Sequence, residues 1–163
     1  MANVLPTFRY MALTIQHKIF VFRAGLRTKA PLLQLLLHDL SKFTPAELPH
    51  YGRQFFGDKA DPRGFARAWL HHQNHNPHHW EYWIPREGHN QAEGEARNDP
   101  PLVMPERFVR EMIADWLGAS RAYSGSWPKS LETWSWFWGT RPKMRLHSET
   151  ARLVDQVLRE VFS

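Results

Sequence analysis

The stretch PLLQLLLHDLSKF places a histidine and an aspartate, His38 and Asp39, directly behind Leu35-Leu36-Leu37. An ionised carboxylate delivered by the most apolar run of a chain must be paired, hydrogen-bonded or bound to a cation, because burying it alone is prohibitive. Two other segments pose the same problem. His17 has Leu13, Phe20, Val21 and Ala24 as helical neighbours, and Asp115 lies one turn from Met112, Gly118 and Ala119. Both therefore sit on faces that point to a core. Any fold for this chain has to bring several such groups together inside it.

The periodicity around these residues is helical throughout. Residues 8 to 24 read as a helix closing at Gly25. Pro31 opens a second over PLLQLLLHDLSKF, with proline tolerated in a first turn. Thr44-Pro45-Ala46-Glu47 has the form of a capping box before a short segment that Pro49 disturbs. Asp61-Pro62 caps GFARAWLHHQNHN, which Pro77 should kink before HHWEYW continues. From Ile84 to Met104 the composition turns to Pro, Gly, Asn and Glu, giving a long surface loop or lid. Pro105 restarts an amphipathic helix, Ser124 to Ser130 is a break, and SLETWSWFW is short enough for helix or strand. Ser148 is expected to cap a last helix with Leu153, Val154, Val157, Leu158 and Val161 on one face. No repeat and no alternating hairpin pattern occurs. The expectation is an all-α, single-domain bundle of about five to seven helices over residues 1–163, with 124–163 as a C-terminal extension packed on the core.

Composition narrows the chemistry. With no cysteine among 163 residues, thiolate sites are excluded, and a metal would rest on His, Asp or Glu. The net charge of +5 favours anionic ligands, yet the basic residues are scattered and form no block. No apolar run approaches a bilayer span, no leader pattern is visible at the start, and the chain reads as cytoplasmic. Ten histidines and eight tryptophans are the anomalies. Five of the histidines fall in HHQNHNPHHW, where His72, His75 and His79 share one side of a continued helix. A single buried histidine is more often satisfied by backbone than by metal. Groups of the right type on several helices point to a divalent ion.

The ordered set His17, His38-Asp39 followed by Ser41-Lys42, intervening histidines, and Asp115 resembles the H…HD…H…H…D signature of the HD-domain superfamily. Its HDLSK is similar to the HDxGK form of the dyad, with serine in place of glycine. More closely, HDLSKF, AWLHHQNHNPHHWEYW and MPERFVREMIADW resemble three blocks of an uncharacterised HD-like family, across roughly residues 13 to 123. The resemblance implies a helical metal-dependent phosphohydrolase acting on a small phosphorylated substrate, with a nucleotide as the natural candidate. It implies a first metal on His17, His38, Asp39 and Asp115, and a second held by intervening histidines, for which His72 and His79 are chosen on spacing and His78 comes next. Asp39 and Lys42 are the expected catalytic residues, and Lys42, Arg23, Arg121 and Asn76 the expected substrate contacts. Trp69, Trp80, Trp83 and Trp116 could stack a base, though core filling is the simpler role for most of them. The ion could be Mn, Mg, Co, Fe or Zn. The same ligand order also implies a di-iron oxygenase. A third reading, a nucleic-acid-binding or interaction protein with a structural metal, rests on basic and aromatic residues interleaved in FRYMALTIQHKIFVFRAGLRTK. A small anionic substrate is the expected partner, a homodimer the assembly to test, and no membrane partner is expected.

Overall fold

The computed structural model describes residues 4–85 and 100–163 and is all-helical, with seven α-helices among the described residues. These are α1 (Val4–Thr28), α2 (Leu32–Leu37), α3 (Leu48–Phe56), α4 (Pro62–His75), α5 (Glu106–Ser124), α6 (Ser135–Thr140) and α7 (Ser148–Phe162). Short 3-10 turns follow α2 at Leu40–Phe43, α4 at Trp80–Trp83 and α6 at Arg141–Lys143. No described helix is long and apolar enough to cross a membrane. The loop expected over 84–104 falls largely on residues 86–99, outside the described residues. Its far end is anchored: the Leu102 N–H donates to the Trp83 carbonyl at 2.8 Å, and the Met104 N–H to Thr150 Oγ1 at 3.0 Å.

The largest apolar cluster joins α1, α5 and α7 through Val21, Ala24, Met112, Ile113, Leu117, Val154 and Leu158. A smaller one joins α1, α3 and α4 through Tyr10, Tyr51 and Ala68. α1 runs through both, and His17 lies on it between Tyr10 and Val21. The polar interior sits at this seam.

Several sequence expectations need correction. Helix α1 does not stop at Gly25 but runs to Thr28, where Lys29 takes a left-handed conformation (φ 57°). Gly25 is there for close approach: a Cβ on it would lie 2.3 Å from Leu35 Cδ1. PLLQLLLHDLSKF is not one helix. It breaks at His38 (ψ 130°) and at Asp39, which is left-handed at φ 56°, ψ 23°. Successive helical residues diverge by about 100°, so only a break lets both dyad side chains face inward. Of its leucines Leu35 alone is buried, while Leu32, Leu33, Leu36 and Leu37 are exposed. Pro49 does not disturb a helix begun at Pro45; it lies in the first turn of α3, and residues 45–47 form a turn.

Asp61 caps α4 as its sequence suggests, accepting from the Gly64 N–H at 2.8 Å. HHWEYW does not continue that helix: the chain turns at Asn76-Pro77 and leaves His78 and His79 in non-helical backbone before the 3-10 turn. SLETWSWFW resolves as a coil leading into α6. The cap of α7 is His147 rather than Ser148, its Nδ1 accepting from the Glu149 N–H at 3.2 Å.

Candidate metal centre

Each element brings one or two groups to the seam. α1 supplies His17, the break after α2 supplies His38 and Asp39, and α5 supplies Asp115. The last turn of α4 supplies His72, and the fold-back after Pro77 supplies His78 and His79. Asp39 is at the middle. Its Oδ2 lies 3.5 Å from His17 Nε2 and 3.4 Å from His38 Nε2, while Asp115 Oδ1 is 3.0 Å from His17 Nε2 and 3.5 Å from His38 Nε2. The other oxygen, Oδ1, lies 3.4 Å from both His72 Nε2 and His78 Nε2. His79 Nε2 faces His72 Nε2 at 3.0 Å. Among the described residues two ligand groups share Asp39, His17/His38/Asp39/Asp115 and Asp39/His72/His78/His79, and a third, His38/His78/Glu111, lies on the other nitrogens of two of these rings.

Beyond the ion-pair contacts of His17 Nε2 with Asp115 and of Asp39 Oδ2 with Lys42, the polar atoms around Asp39 lack well-formed hydrogen bonds: His17 Nε2, His38 Nε2, both oxygens of Asp39 and His78 Nε2 are all buried without one. Native interiors rarely leave even one such atom, and here several lie side by side. Their geometry and chemistry are compatible with a metal ion.

Behind the ligands, carboxylates fix the imidazoles. Glu111 is 2.9 Å from His38 Nδ1 and 3.2 Å from His78 Nδ1, and Glu47 is 3.0 Å from His72 Nδ1 and 2.7 Å from His71 Nδ1. A ring that donates its Nδ1 proton to a carboxylate keeps the Nε2 lone pair for a cation. Asn76 belongs to this support: its Nδ2 donates to Ser41 Oγ and to the His72 carbonyl, both at 2.8 Å.

The electrostatics follow from burial. Burial alone would raise the Asp39 carboxyl, but His38, Lys42 and His72 hold it well below the usual carboxylate range. Burial works against ionisation at Asp115 as well and is overcome by the hydrogen bonds to His17 and His38. His79 is pushed well below its ordinary value, first by burial and then by His78 and His72, and burial also lowers His72. Burial would lower His17 and His78 too, but contacts with Asp115 and Asp39 raise His17, and those with Asp39 and Glu111 raise His78 to about 10. The carboxylates, His72 and His79 are thus in the states that metal binding needs, and a metal at His17 and His78 would displace protons.

The remaining sequence candidates are placed differently. Lys42 is at the centre, buried and paired to Asp39 Oδ2 at 2.6 Å. The side chains of Asp115, His79 and Lys42 keep 16 %, 15 % and 11 % of their surface, which marks the open side. Arg121 is not there: its guanidinium lies 5.1 Å over the Phe20 ring and donates to the Gly125 carbonyl. Arg23 is exposed and about 120° around α1 from His17. His75 is exposed, its Nδ1–H donating to the His71 carbonyl at 2.7 Å. Trp116 is buried on α5, and Trp80 and Trp83 pack on the main core. Glu47 and Glu111 are the residues the sequence reading missed. Glu111 stands four residues before Asp115 on the same helical face, and that spacing was the available signal.

The chain belongs to a family of unknown function (DUF5662), whose model matches residues 7–160. No curated protein and no solved structure matches it.

Proposed function

We propose that this family member is a metal-dependent phosphohydrolase of the HD type, acting on a small phosphorylated substrate through a dinuclear centre with Asp39 as the shared carboxylate. One observation carries the reading: seven histidine and aspartate residues, in an order similar to the HD signature, meet where buried nitrogen and oxygen atoms lack well-formed hydrogen bonds. The imidazole-rich donor set suits manganese, iron, cobalt or zinc better than magnesium, which prefers oxygen. Such an ion, when bound, lowers the pKa of a coordinated water toward neutrality and polarises a phosphoryl oxygen.

The chain's own residues do the rest. His17, His38 and Asp115 define one half of the centre, and His72, His78 and His79 the other. Glu111 and Glu47 hold the rings so that a substrate meets a fixed array. Lys42 is the cation at the opening; with Arg23 and Arg121 elsewhere, it is left to meet the phosphate. Its pairing with Asp39 keeps the ammonium charged, because the carboxylate outweighs the burial that would lower it.

Elemental analysis of untagged protein, purified without chelator, tests this against a His38→Ala/Asp39→Ala variant. Stoichiometric metal in the wild type and none in the variant, with unchanged far-ultraviolet circular dichroism, is expected. Full metal in the variant sinks the assignment. Two irons with visible absorption would move the reading to an oxygenase built on the same ligands, while manganese, cobalt or zinc would direct a screen of phosphate esters. Protein that takes up no divalent ion would bring forward the nucleic-acid reading, checked by a salt-dependent mobility shift.

A further inference from the structure

Beyond the metal centre, the molecule carries a cleft of about 620 Å³ where α5 ends and α6 begins. That volume is in the range of small-molecule sites. Its construction is specific. Gly125, at φ 77°, makes a left-handed exit from α5 that side chains rarely adopt. The chain is thereby returned so that Trp127 packs edge-on against Phe20, with ring centroids 5.8 Å apart. Opposite it, Trp134 is buried and fixed by its Nε1–H donating to Ser120 Oγ at 3.0 Å. Trp136 rests on Trp134 at 5.7 Å and Trp116 at 6.0 Å, yet stays 44 % exposed. Trp136 thereby gives the cleft an indole surface that its packing on Trp134 and Trp116 leaves uncovered.

The lining also offers hydroxyls. Ser124, Ser126, Thr133 and Ser135 border the cleft, and Lys129 stands on its wall. Indole faces together with hydroxyl donors and acceptors recognise a flat ring that has polar atoms on its edge. Ser124 and Thr133 already donate to the Ser120 and Ser130 carbonyls and keep acceptor lone pairs toward the cleft; with Ser126 and Ser135 they offer polar edges that a plain hydrocarbon would not use.

The cleft adjoins the metal centre through one residue. Tyr123 lines it, and the same ring stacks on His17 at 6.4 Å and 14°. Ala119, also in the lining, is one turn, about 6 Å along α5, beyond Asp115.

We propose that this cleft binds a planar heteroaromatic ring, held against Trp136 and Trp127, with Tyr123 as the wall shared with the metal centre. That the ring and the group acted on at the metal belong to one molecule rests on the phosphohydrolase reading; the ring site itself does not.

Calorimetric titration of the full chain with adenosine, guanosine, cytidine and uridine, and with indole as a ring poor in edge acceptors, tests the site. Saturable binding of at least one nucleoside is expected, weakened about 10-fold or more in Trp136→Ala and Trp127→Ala and largely kept in Trp136→Phe. Binding of indole alone, or of nothing, overturns the assignment, as does nucleoside binding that both alanine variants leave intact. Metal content measured on the same samples separates the two readings. Metal-loaded protein that binds no nucleoside refutes the cleft and leaves the centre standing. Nucleoside binding by protein that takes up no metal supports the cleft and overturns its link to the centre. With both present, the matched monophosphate should bind more tightly than the nucleoside only in metal-loaded protein.

Discussion

Glu111 touches two imidazoles, His38 and His78, that belong to different halves of the centre. Burial would raise its carboxyl, but those two hydrogen bonds hold it at about 2, so it is an acceptor at any working pH. Both rings meet the same oxygen, Oε1, while Oε2 accepts from Gln34 Nε2; Glu111→Gln therefore leaves the two imidazoles one neutral, weaker acceptor and sets its new amide donor against the Gln34 donor. Metal affinity should fall about 10- to 100-fold, read by competition with a chromophoric chelator, while the helical spectrum is unchanged. Unaltered affinity would mean that the carboxylate does not orient the ligands. At this scale the sequence was informative about the residues whose environment contradicts their chemistry: His17, Asp39 and Asp115 each stand among apolar neighbours. It was poorer about His72 and His79. They were paired by helical spacing, yet α4 ends at His75 and the fold-back at Pro77 brings His79 to His72. Glu47 was absorbed into a capping pattern, and its carboxylate faces His71 and His72 instead.

α1 and α5 hold the two ends of the His17–Asp115 contact, and Gly118 sets how closely they approach. A Cβ there would lie 2.7 Å from the Val21 nitrogen and 2.9 Å from its Cα, which are backbone atoms that cannot swing aside. Alanine would gain up to about 1 kcal/mol of helix propensity over glycine. Forcing two packed backbones apart costs about 1–3 kcal/mol, so the clash should win. Gly118→Ala is expected to lower stability in urea and, by separating His17 from Asp115, to reduce metal uptake. A variant as stable and as metal-loaded as wild type would show that the helices need not touch here. Helix identity was legible because each amphipathic stretch has a strong period and a proline or cap near its start. Helix ends were not, since tertiary contacts set them. Gly25 looks like a terminator but accommodates Leu35, and the break at His38-Asp39 answers a demand from α1, α4 and α5 that no local signal carries.

The two apolar clusters meet at a layer of buried charge, with Asp39, Glu47, Glu111, His38, His72 and His78 all nearly inaccessible. Lys42 is the buried lysine among them. A cation bound there stabilises the folded chain in proportion to ln(1 + [metal]/Kd), about 2.7 kcal/mol at a hundredfold excess over Kd. For a domain of this size that corresponds to a rise in Tm of about 5–10 °C. Scanning calorimetry of chelator-treated protein, before and after adding manganese, iron, cobalt or zinc, should show such a rise for at least one ion, and Asp39→Asn should abolish it. The exposed histidines bind ions in the unfolded chain as well, which diminishes the shift but cannot create one. Coincident melting curves for every ion would mean that these unsatisfied atoms are not a metal site, and the seam would then be a structural layer of charge joining two cores.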